Sequence, residues 1–432
     1  MKSKRQYKYF VSGIVNRPQR TFALFVLFVL ALFIDYGGGI GVKPVTFLGL
    51  FLVLIMSLKT SLRVYRVFII DLVVYLVLPC IMLALHAFNF AWRADLFLQI
   101  AYHSLSSQLV ILFLPLIALS GSLRCTEFFK KSFRLISVLI CTIYLLHFIG
   151  VIDIVTWVEV ANSVRIGFIG IDPRAKALLY TERVNLTPSI AYAIPFVAGI
   201  EWITAPLWGI LVLVASMIVN SRAIFVSSLA VFVCVFFIVL TRRIRRKKNV
   251  LGMFIVLFLL AVIITQVNPL GMRLSWFFEE RMKTIVYEED LSYTIRTAHL
   301  EAAKEKLASD VLGILIGLGP SWAINNRIIG WVQYTEISFL NLILTFGLPY
   351  ALLYCGYFLW QICRLFRLRR QPGFGDSDRG LLLGSFSFFL VANTNPVMVS
   401  PIYFIIIMLL RTRIRELVHM DDYYMASRRE KE

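Results

Sequence analysis

Charged residues are scarce in this sequence. Only 16% of the 432 residues are charged, whereas 59% are hydrophobic, and the mean hydropathy is +0.79. Soluble globular chains contain about 25% charged and about 45–50% apolar residues. The composition therefore excludes an ordinary soluble enzyme, and it equally excludes a disordered, collagen-like or disulfide-rich chain.

Groupings of cysteine and histidine with metal-ligand spacing are also missing. The six cysteines lie in or beside apolar runs, where we expect burial: Cys80, Cys125, Cys141, Cys234, Cys355 and Cys363. The five histidines show no i, i+4 pairing, and structural roles are expected for His86, His103, His147, His299 and His419. We therefore expect no metal ion and no cofactor.

A phosphate-binding loop is missing as well. The glycine-rich stretch Gly313–Pro320 lacks the lysine and the hydroxyl residue that such a loop needs. We expect a tight turn against the membrane at this place instead of a nucleotide site.

Acidic residues are outnumbered, with 25 carboxylates against 44 lysines and arginines and a net charge of +19. The cations cluster in short connectors between apolar runs, as the positive-inside rule predicts for cytoplasmic loops. The excess charge therefore sets the orientation in the membrane, and no nucleic-acid partner is expected. The clusters include Lys2–Arg20, Lys59–Arg66, Arg124–Arg134, Arg242–Lys248, Arg364–Arg370 and Arg411–Arg415.

Long apolar runs predict an all-α polytopic membrane protein with about 12 transmembrane helices, because each span needs about 20 mostly apolar residues. Residues 1–432 are expected to form a single integral membrane domain with both termini in the cytoplasm. The predicted spans are 21–39, 44–58, 67–91, 105–122, 135–155, 186–201, 205–220, 222–240, 249–266, 337–360, 380–393 and 397–411.

Two segments on the outer side are long. The first is 156–185 and the second, the largest polar stretch of the chain, is 267–336. Helices can be joined by about 2–8 residues, so long, charged loops indicate function. Within the second loop, Tyr293–Ala308 is rich in helix-forming residues and has Ser292 as a potential N-cap.

Arg222 is the most informative single residue. It follows Asn220 and Ser221 between two apolar runs at the outer face, where a lone cation opposes the positive-inside bias. A guanidinium near lipid costs about 2.5–3.5 kcal/mol at mid-membrane on insertion scales. Binding of a diphosphate would offset that cost, since the planar donor fork suits phosphate; a snorkelling arginine is the structural alternative.

Three further arginines lie in the outer loops. Arg165 belongs to the first loop, and Arg281 and Arg296 belong to the second. The simpler interpretation of each of these arginines is a solvated cation in a loop. Together with Arg222 they are candidates for binding one anionic ligand.

Glu336 opens the tenth predicted span. Its carboxylate has two interpretations: it complements the helix N-terminus, or it acts as a general base whose pKa partial burial raises. Asp35, Asp71 and Asp153 lie near the ends of apolar runs, where we expect them to reach water.

The order of several short motifs resembles the O-antigen polymerase/ligase superfamily of bacterial polysaccharide assembly. The motifs are Arg165–Gly170 before a proline-bearing span, Asn220–Arg222 at a helix start, Ile316–Gly319 after the long outer loop, and Ser338–Pro349. Asn393–Pro396 is consistent with the same pattern.

The resemblance implies an all-helical membrane glycosyltransferase fold (GT-C-like) in the bacterial inner membrane, with the active site facing the periplasm. Donor and acceptor would both be oligosaccharides linked to undecaprenyl diphosphate, and a chain-length regulator is a further partner that the resemblance allows. Arg165, Arg222 and Arg296 match the family's arginines. Glu336 stands where ligases usually present histidine, which favours a polymerase.

Two rival functions remain open at this point. An O-antigen ligase would transfer the glycan to lipid A core. A flippase or other transporter of lipid-linked oligosaccharide would need a cationic cavity across the bilayer and pseudo-repeated halves. The unusual cations lie at one face, which favours surface chemistry.

Overall fold

A computed structural model describes the chain in segments separated by gaps. The described residues are 18–34, 42–56, 58–87, 107–148, 151, 169–171, 184–186, 188–218, 227–233, 291–319, 322–332, 335, 337–371, 373–392, 398 and 400–429. Most of the described residues are helical, which confirms the prediction of an all-α fold class for these segments.

The amino-terminal helices cover the apolar runs and also two basic connectors, Lys59–Arg66 and Arg124–Arg134. They are α1 (Pro18–Ile34), α2 (Val42–Met56), α3 (Leu58–Val67), α4 (Ile69–Leu72), α5 (Leu78–Ala87), α6 (Leu114–Ser120) and α7 (Ser122–Phe148). A π-helical turn, Val73–Val77, joins α4 to α5, and a 3₁₀ turn, Gln108–Phe113, precedes α6.

The rest of the described chain contains helices and two small antiparallel hairpins. The helices are α8 (Pro188–Thr204), α9 (Pro206–Ile218), α10 (Leu291–Ala308), α11 (Val311–Ile316), α12 (Ser338–Phe346), α13 (Leu348–Arg367), α14 (Asp376–Val391) and α15 (Pro401–Arg429). The strands are β1 (Ile169–Ile171), β2 (Val184–Leu186), β3 (Ile324–Asn326) and β4 (Gly330–Val332). Ile169 pairs with Leu186 and Ile324 pairs with Val332.

Helix α15 forms the centre of the main core. Every residue from Ile402 to Leu410 is fully buried. A helix that is apolar on all sides is stable only when neighbours enclose it, and α6, α7, α8 and α13 all contact α15.

Helices α8 and α14 pack backbone to backbone through glycines. A Cβ atom on Gly199 would overlap the backbone nitrogen of Gly384, and one on Gly384 would overlap the carbonyl oxygen of Phe196. Small residues permit this close approach, which is common between helices in membranes.

One straight segment of the described chain, Ile69–His86, is long and apolar enough to cross a membrane. The number rises to three if the bent pairs Val45–Met56 with Ser61–Val67 and Gln108–Ser120 with Ser122–Ile143 each count as one span. This is fewer than the twelve predicted spans. The predicted span 249–266 lies outside the described residues, and 222–240 is described only at 227–233.

The structure corrects three local predictions. The predicted span 337–360 consists of two helices, α12 and α13, that meet at Gly347. Helix α10 begins at Leu291, so Ser292 lies within its first turn and not before it. Cys363, predicted to be buried, is exposed, whereas Cys125 is buried.

Asp71 is a further correction, because it is buried and does not reach water. Its side chain is 1% exposed and pairs with Arg411, from which it accepts a hydrogen bond of 2.7 Å. The sequence places Arg411 in a cytoplasmic basic cluster, yet it too is buried.

Candidate functional site

Helices α10 and α12 and the β3–β4 hairpin pack around a small apolar cluster of their own, and α11 contacts both helices. Its buried members are Ala303 on α10, Trp322 and Ile324 at the hairpin, and Leu340 and Leu344 on α12. We call these elements the outer unit, because they come from the second predicted outer loop and the start of the tenth predicted span.

The Gly-x-Gly motif, Gly317–Gly319, follows α11 and packs against the end of α12 within the outer unit. Gly317 adopts a φ of +82°, and a Cβ atom there would lie 2.5 Å from the carbonyl oxygen of Thr345. The amide of Leu318 donates to the carbonyl of Leu344 at 2.7 Å. The chain therefore bends at Leu318, and Gly317 permits close backbone packing there; the predicted contact of this turn with the membrane stays a prediction.

His86 connects the outer unit to Ile69–His86, the straight segment that is long and apolar enough to cross a membrane. Its Nε2 lies 3.0 Å from the carbonyl oxygen of Ile316. A Cβ atom on Gly319 would lie 2.9 Å from the His86 ring. This contact gives His86 a structural role, as expected, and fixes the Gly-x-Gly turn against the end of α5.

The hairpin holds the segment of α10 that carries Arg296. Asn326 donates from its side-chain nitrogen to the carbonyl of Ile295 at 3.0 Å, while its side-chain oxygen accepts from the amide of Ile328 at 2.9 Å. Arg327 forms an exposed ion pair with Glu305 at 3.0 Å. Arg296, the next residue after Ile295, is half-buried.

Thr335 and Asn341 form a buried clamp at the entry to α12. Asn341 Oδ1 accepts from the Thr335 amide at 2.9 Å and from the Thr335 hydroxyl at 3.0 Å, and Asn341 Nδ2 donates to the Thr335 carbonyl at 2.6 Å. Three hydrogen bonds between two buried residues fix the backbone that immediately precedes position 336.

Ser338 fixes the chain on the other side of that position. Its amide donates to the carbonyl of Ala392 at 3.3 Å, and its hydroxyl accepts from the amide of Met398 at 3.1 Å. Because Ala392 and Met398 flank the Asn393–Pro396 motif, Ser338 links that part of the chain to the start of α12.

Of the five predicted site residues, the structure describes only Arg296. Arg165, Arg222, Arg281 and Glu336 lie outside the described residues, as does Asn393–Pro396. The structure does bring together, in one unit, the helix that carries Arg296 and the two residues on either side of Glu336, Thr335 and Ile337. Their shared site remains a prediction.

The described residues contain a second polar region that sequence reasoning missed. Arg411 donates to Asp71 and, at 3.2 Å, to Gln361, while the hydroxyl of Tyr357 donates to Asp71 at 3.0 Å. The basic run at the end of the last span was visible in the sequence, but its buried partner on α4 was not.

Two more buried ion pairs hold the same bundle. Arg134 donates to both carboxylate oxygens of Glu201, at 2.6 and 2.9 Å. Arg413 donates to both oxygens of Asp378 and also to Glu416. Such doubly hydrogen-bonded pairs fix the positions of the helices relative to one another. Arg134 and Arg413 therefore hold helices together in addition to supplying positive charge.

The described residues contain no group of three histidine, cysteine or acidic side chains placed to hold a metal ion. In comparisons with known proteins, no protein-family model matches the chain, and no curated protein is significantly similar to it in sequence.

Proposed function

We propose that this protein is an integral membrane glycosyltransferase that polymerises oligosaccharide repeat units carried on undecaprenyl diphosphate into a surface polysaccharide. It would lie in the bacterial inner membrane, with about 12 spans arranged in a GT-C-like fold and its site facing the periplasm. The exposed apolar side chains of α2, among them Leu48, Leu52 and Met56, suit contact with lipid.

One observation supports this proposal above the others. The helix that carries Arg296 and the residues that flank Glu336 belong to one packed unit, which His86 anchors to the candidate membrane span Ile69–His86. If Glu336 lies close to Arg296, as this packing favours, a cation and a carboxylate would meet beside an apolar helix, which suits a reaction on a lipid-linked diphosphate.

In the proposed reaction, a hydroxyl of the acceptor repeat unit attacks the anomeric carbon of the donor glycan. A new glycosidic C–O bond forms while the bond between the anomeric carbon and the diphosphate oxygen breaks. Glu336 takes the proton of the attacking hydroxyl, and undecaprenyl diphosphate leaves with the bonding electron pair. In-line attack inverts the anomeric configuration.

The arginines would stabilise the negative charge that develops on the leaving diphosphate. Preorganised cations in a site with little water act most strongly where charge develops. Arg165, Arg222, Arg281 and Arg296 are the proposed ligands, and their guanidinium groups bind phosphate oxygens in pairs. The family pattern requires neither a nucleotide sugar nor a metal ion.

The experiment is a glycan ladder from cells that lack this protein and are complemented with variants. We expect Arg222→Ala and Glu336→Gln to abolish polymer while single repeat units remain on the lipid carrier or core. Arg327→Ala is the matched control: Arg327 belongs to the same outer unit, and its ion pairs with Glu301 and Glu305 are exposed, so its ladder should be normal. Immunoblots of membranes verify that each variant accumulates.

The rival functions give different results. Long polymer retained on undecaprenyl diphosphate in the null strain would identify a ligase, and repeat units trapped at the cytoplasmic face would identify a flippase. Normal ladders from Arg222→Ala and Glu336→Gln would contradict the proposed site.

A further inference from the structure

A small pocket lies between the carboxyl-terminal part of α13 and the middle of α15. Its volume is about 130 Å³, and its lining consists of Arg364, Arg411, Ile414, Arg415, Val418 and His419. Arg364 is 16 residues beyond the start of α13 at Leu348, which corresponds to about 24 Å along the helix. The pocket is therefore distant from the outer unit, and a ligand bound in it would be independent of the proposed function.

The pocket carries more positive than negative charge. Arg411 is paired with Asp71, but within the described segments neither Arg364 nor Arg415 has a carboxylate at ion-pair distance. Arg364 instead lies over the Trp360 ring, 5.2 Å from its centroid. Desolvation and the neighbouring Arg411 and Arg364 lower the pKa of Arg415 below its ordinary value.

Helical spacing explains why these cations meet. Arg411, Arg415 and His419 are each four residues apart on α15, so they lie on one face. Gln361 on α13 accepts a hydrogen bond from Arg411, which draws the end of α13, with Arg364, against that face. The cationic lining is thus a consequence of the packing of α13 on α15.

The size and lining of the pocket select the ligand. Pockets for drug-sized molecules measure about 300–1,000 Å³, so 130 Å³ suits a single phosphate group better than a nucleotide. Guanidinium groups recognise phosphate with paired hydrogen bonds. Ile414 and Val418 add an apolar wall next to the end of the last predicted span, where a lipid backbone would lie.

We propose that Arg364, Arg411 and Arg415 form a binding site for the phosphate group of an anionic phospholipid at the edge of the membrane. The same chemistry would bind free inorganic phosphate, so the test separates the two sources. Arg411 is left unchanged in the test, because its removal would strand the buried Asp71 carboxylate.

The test measures binding of phosphatidylglycerol to the purified full-length protein by native mass spectrometry, with phosphatidylcholine and inorganic phosphate as separate competitors. The double variant Arg364→Gln/Arg415→Gln should weaken phosphatidylglycerol binding roughly tenfold or more, since each cation near an anionic lipid contributes to attraction. The matched control Arg367→Gln/Arg370→Gln removes two exposed cations beside the pocket and should change binding less than twofold.

Equal weakening by the two double variants would overturn the site in favour of general surface charge. Displacement of phosphatidylglycerol by millimolar inorganic phosphate, but not by phosphatidylcholine, would overturn the lipid as ligand. If the pocket variant does not elute as a monodisperse species, the single variant Arg415→Gln replaces it, because it leaves the contact between Arg364 and Trp360 in place. Unchanged binding in the single variant would equally contradict the proposal.

Discussion

Arg411 donates a 2.7 Å hydrogen bond to Asp71, and this bond joins two helices 340 residues apart in the sequence. Both side chains are buried, and Tyr357 and Gln361 on α13 complete the network. The pair therefore ties α4, α13 and the central helix α15 together. It links early and late parts of the bundle at one place.

The first prediction concerns this pair. Asp71→Asn should lower the free energy of unfolding by about 3–5 kcal/mol, because it leaves the Arg411 charge buried without a counter-charge. The measurement is thermal or denaturant unfolding of the purified protein in detergent.

A double-mutant cycle provides the control for the Asp71 prediction. Asp71→Asn combined with Arg411→Gln removes both charges, so its loss should be well below the sum of the two single losses. Additive losses would mean that the two side chains do not depend on each other.

The second prediction concerns the contact between α8 and α14. Gly384→Ala should destabilise the protein by about 1–3 kcal/mol, because the added methyl group would overlap the Phe196 carbonyl and force the helices apart. Gly49→Ala is the control, since nothing lies within 4 Å of the Cβ position there. Equal melting temperatures for the two variants would show that the close approach is not needed.

The third prediction concerns the junction between α12 and α13. Gly347 has a φ of +89°, a conformation that costs other residues about 1–2 kcal/mol, and a Cβ atom would overlap the Leu315 carbonyl. Because the overlap adds to the cost of the conformation, Gly347→Ala should lower the free energy of unfolding by more than about 2 kcal/mol. Gly356→Ala, in the open middle of α13, should be neutral or stabilising by up to about 1 kcal/mol.

The elements that depend on local signals could be predicted from the sequence. Apolar runs indicated most of the described helices, and Gly317–Gly319 indicated the turn beside α12. The break at Gly347 also had a local signal, glycine followed by Pro349 near the start of α13, but a continuous apolar pattern concealed it.

Long-range partners could not be predicted in the same way. Nothing near Asp71 indicates Arg411, and nothing near Arg134 indicates Glu201, because such pairs arise only once distant helices pack. Thr335 and Asn341 are only six residues apart, yet neither an apolar period nor a known motif marks their contact. Arginine clusters therefore predict an orientation in the membrane, but they do not indicate which of their members are buried and paired.

The last prediction links the outer unit to the proposed activity. Asn341→Ala removes the three hydrogen bonds between Asn341 and Thr335, and it leaves the buried Thr335 amide without that acceptor, at a cost of about 1–3 kcal/mol. Because Thr335 directly precedes Glu336, the backbone that leads into the proposed base should lose its fixed position, and a displacement of about 1 Å at a catalytic group can reduce a rate roughly a hundredfold. We expect shortened or absent polymer in the glycan ladder while the variant still accumulates in membranes.

Thr335→Ser is the matched comparison, since serine keeps the hydroxyl that donates to Asn341 and the backbone groups that complete the clamp. Its ladder should approach that of the unchanged protein. A merely structural role for the clamp would instead reduce polymer only in proportion to the amount of protein in the membrane, so polymer per unit of protein separates the two cases. Normal polymer per protein in Asn341→Ala would show that the turn around position 336 need not be fixed, and it would weaken the assignment of Glu336 as the base.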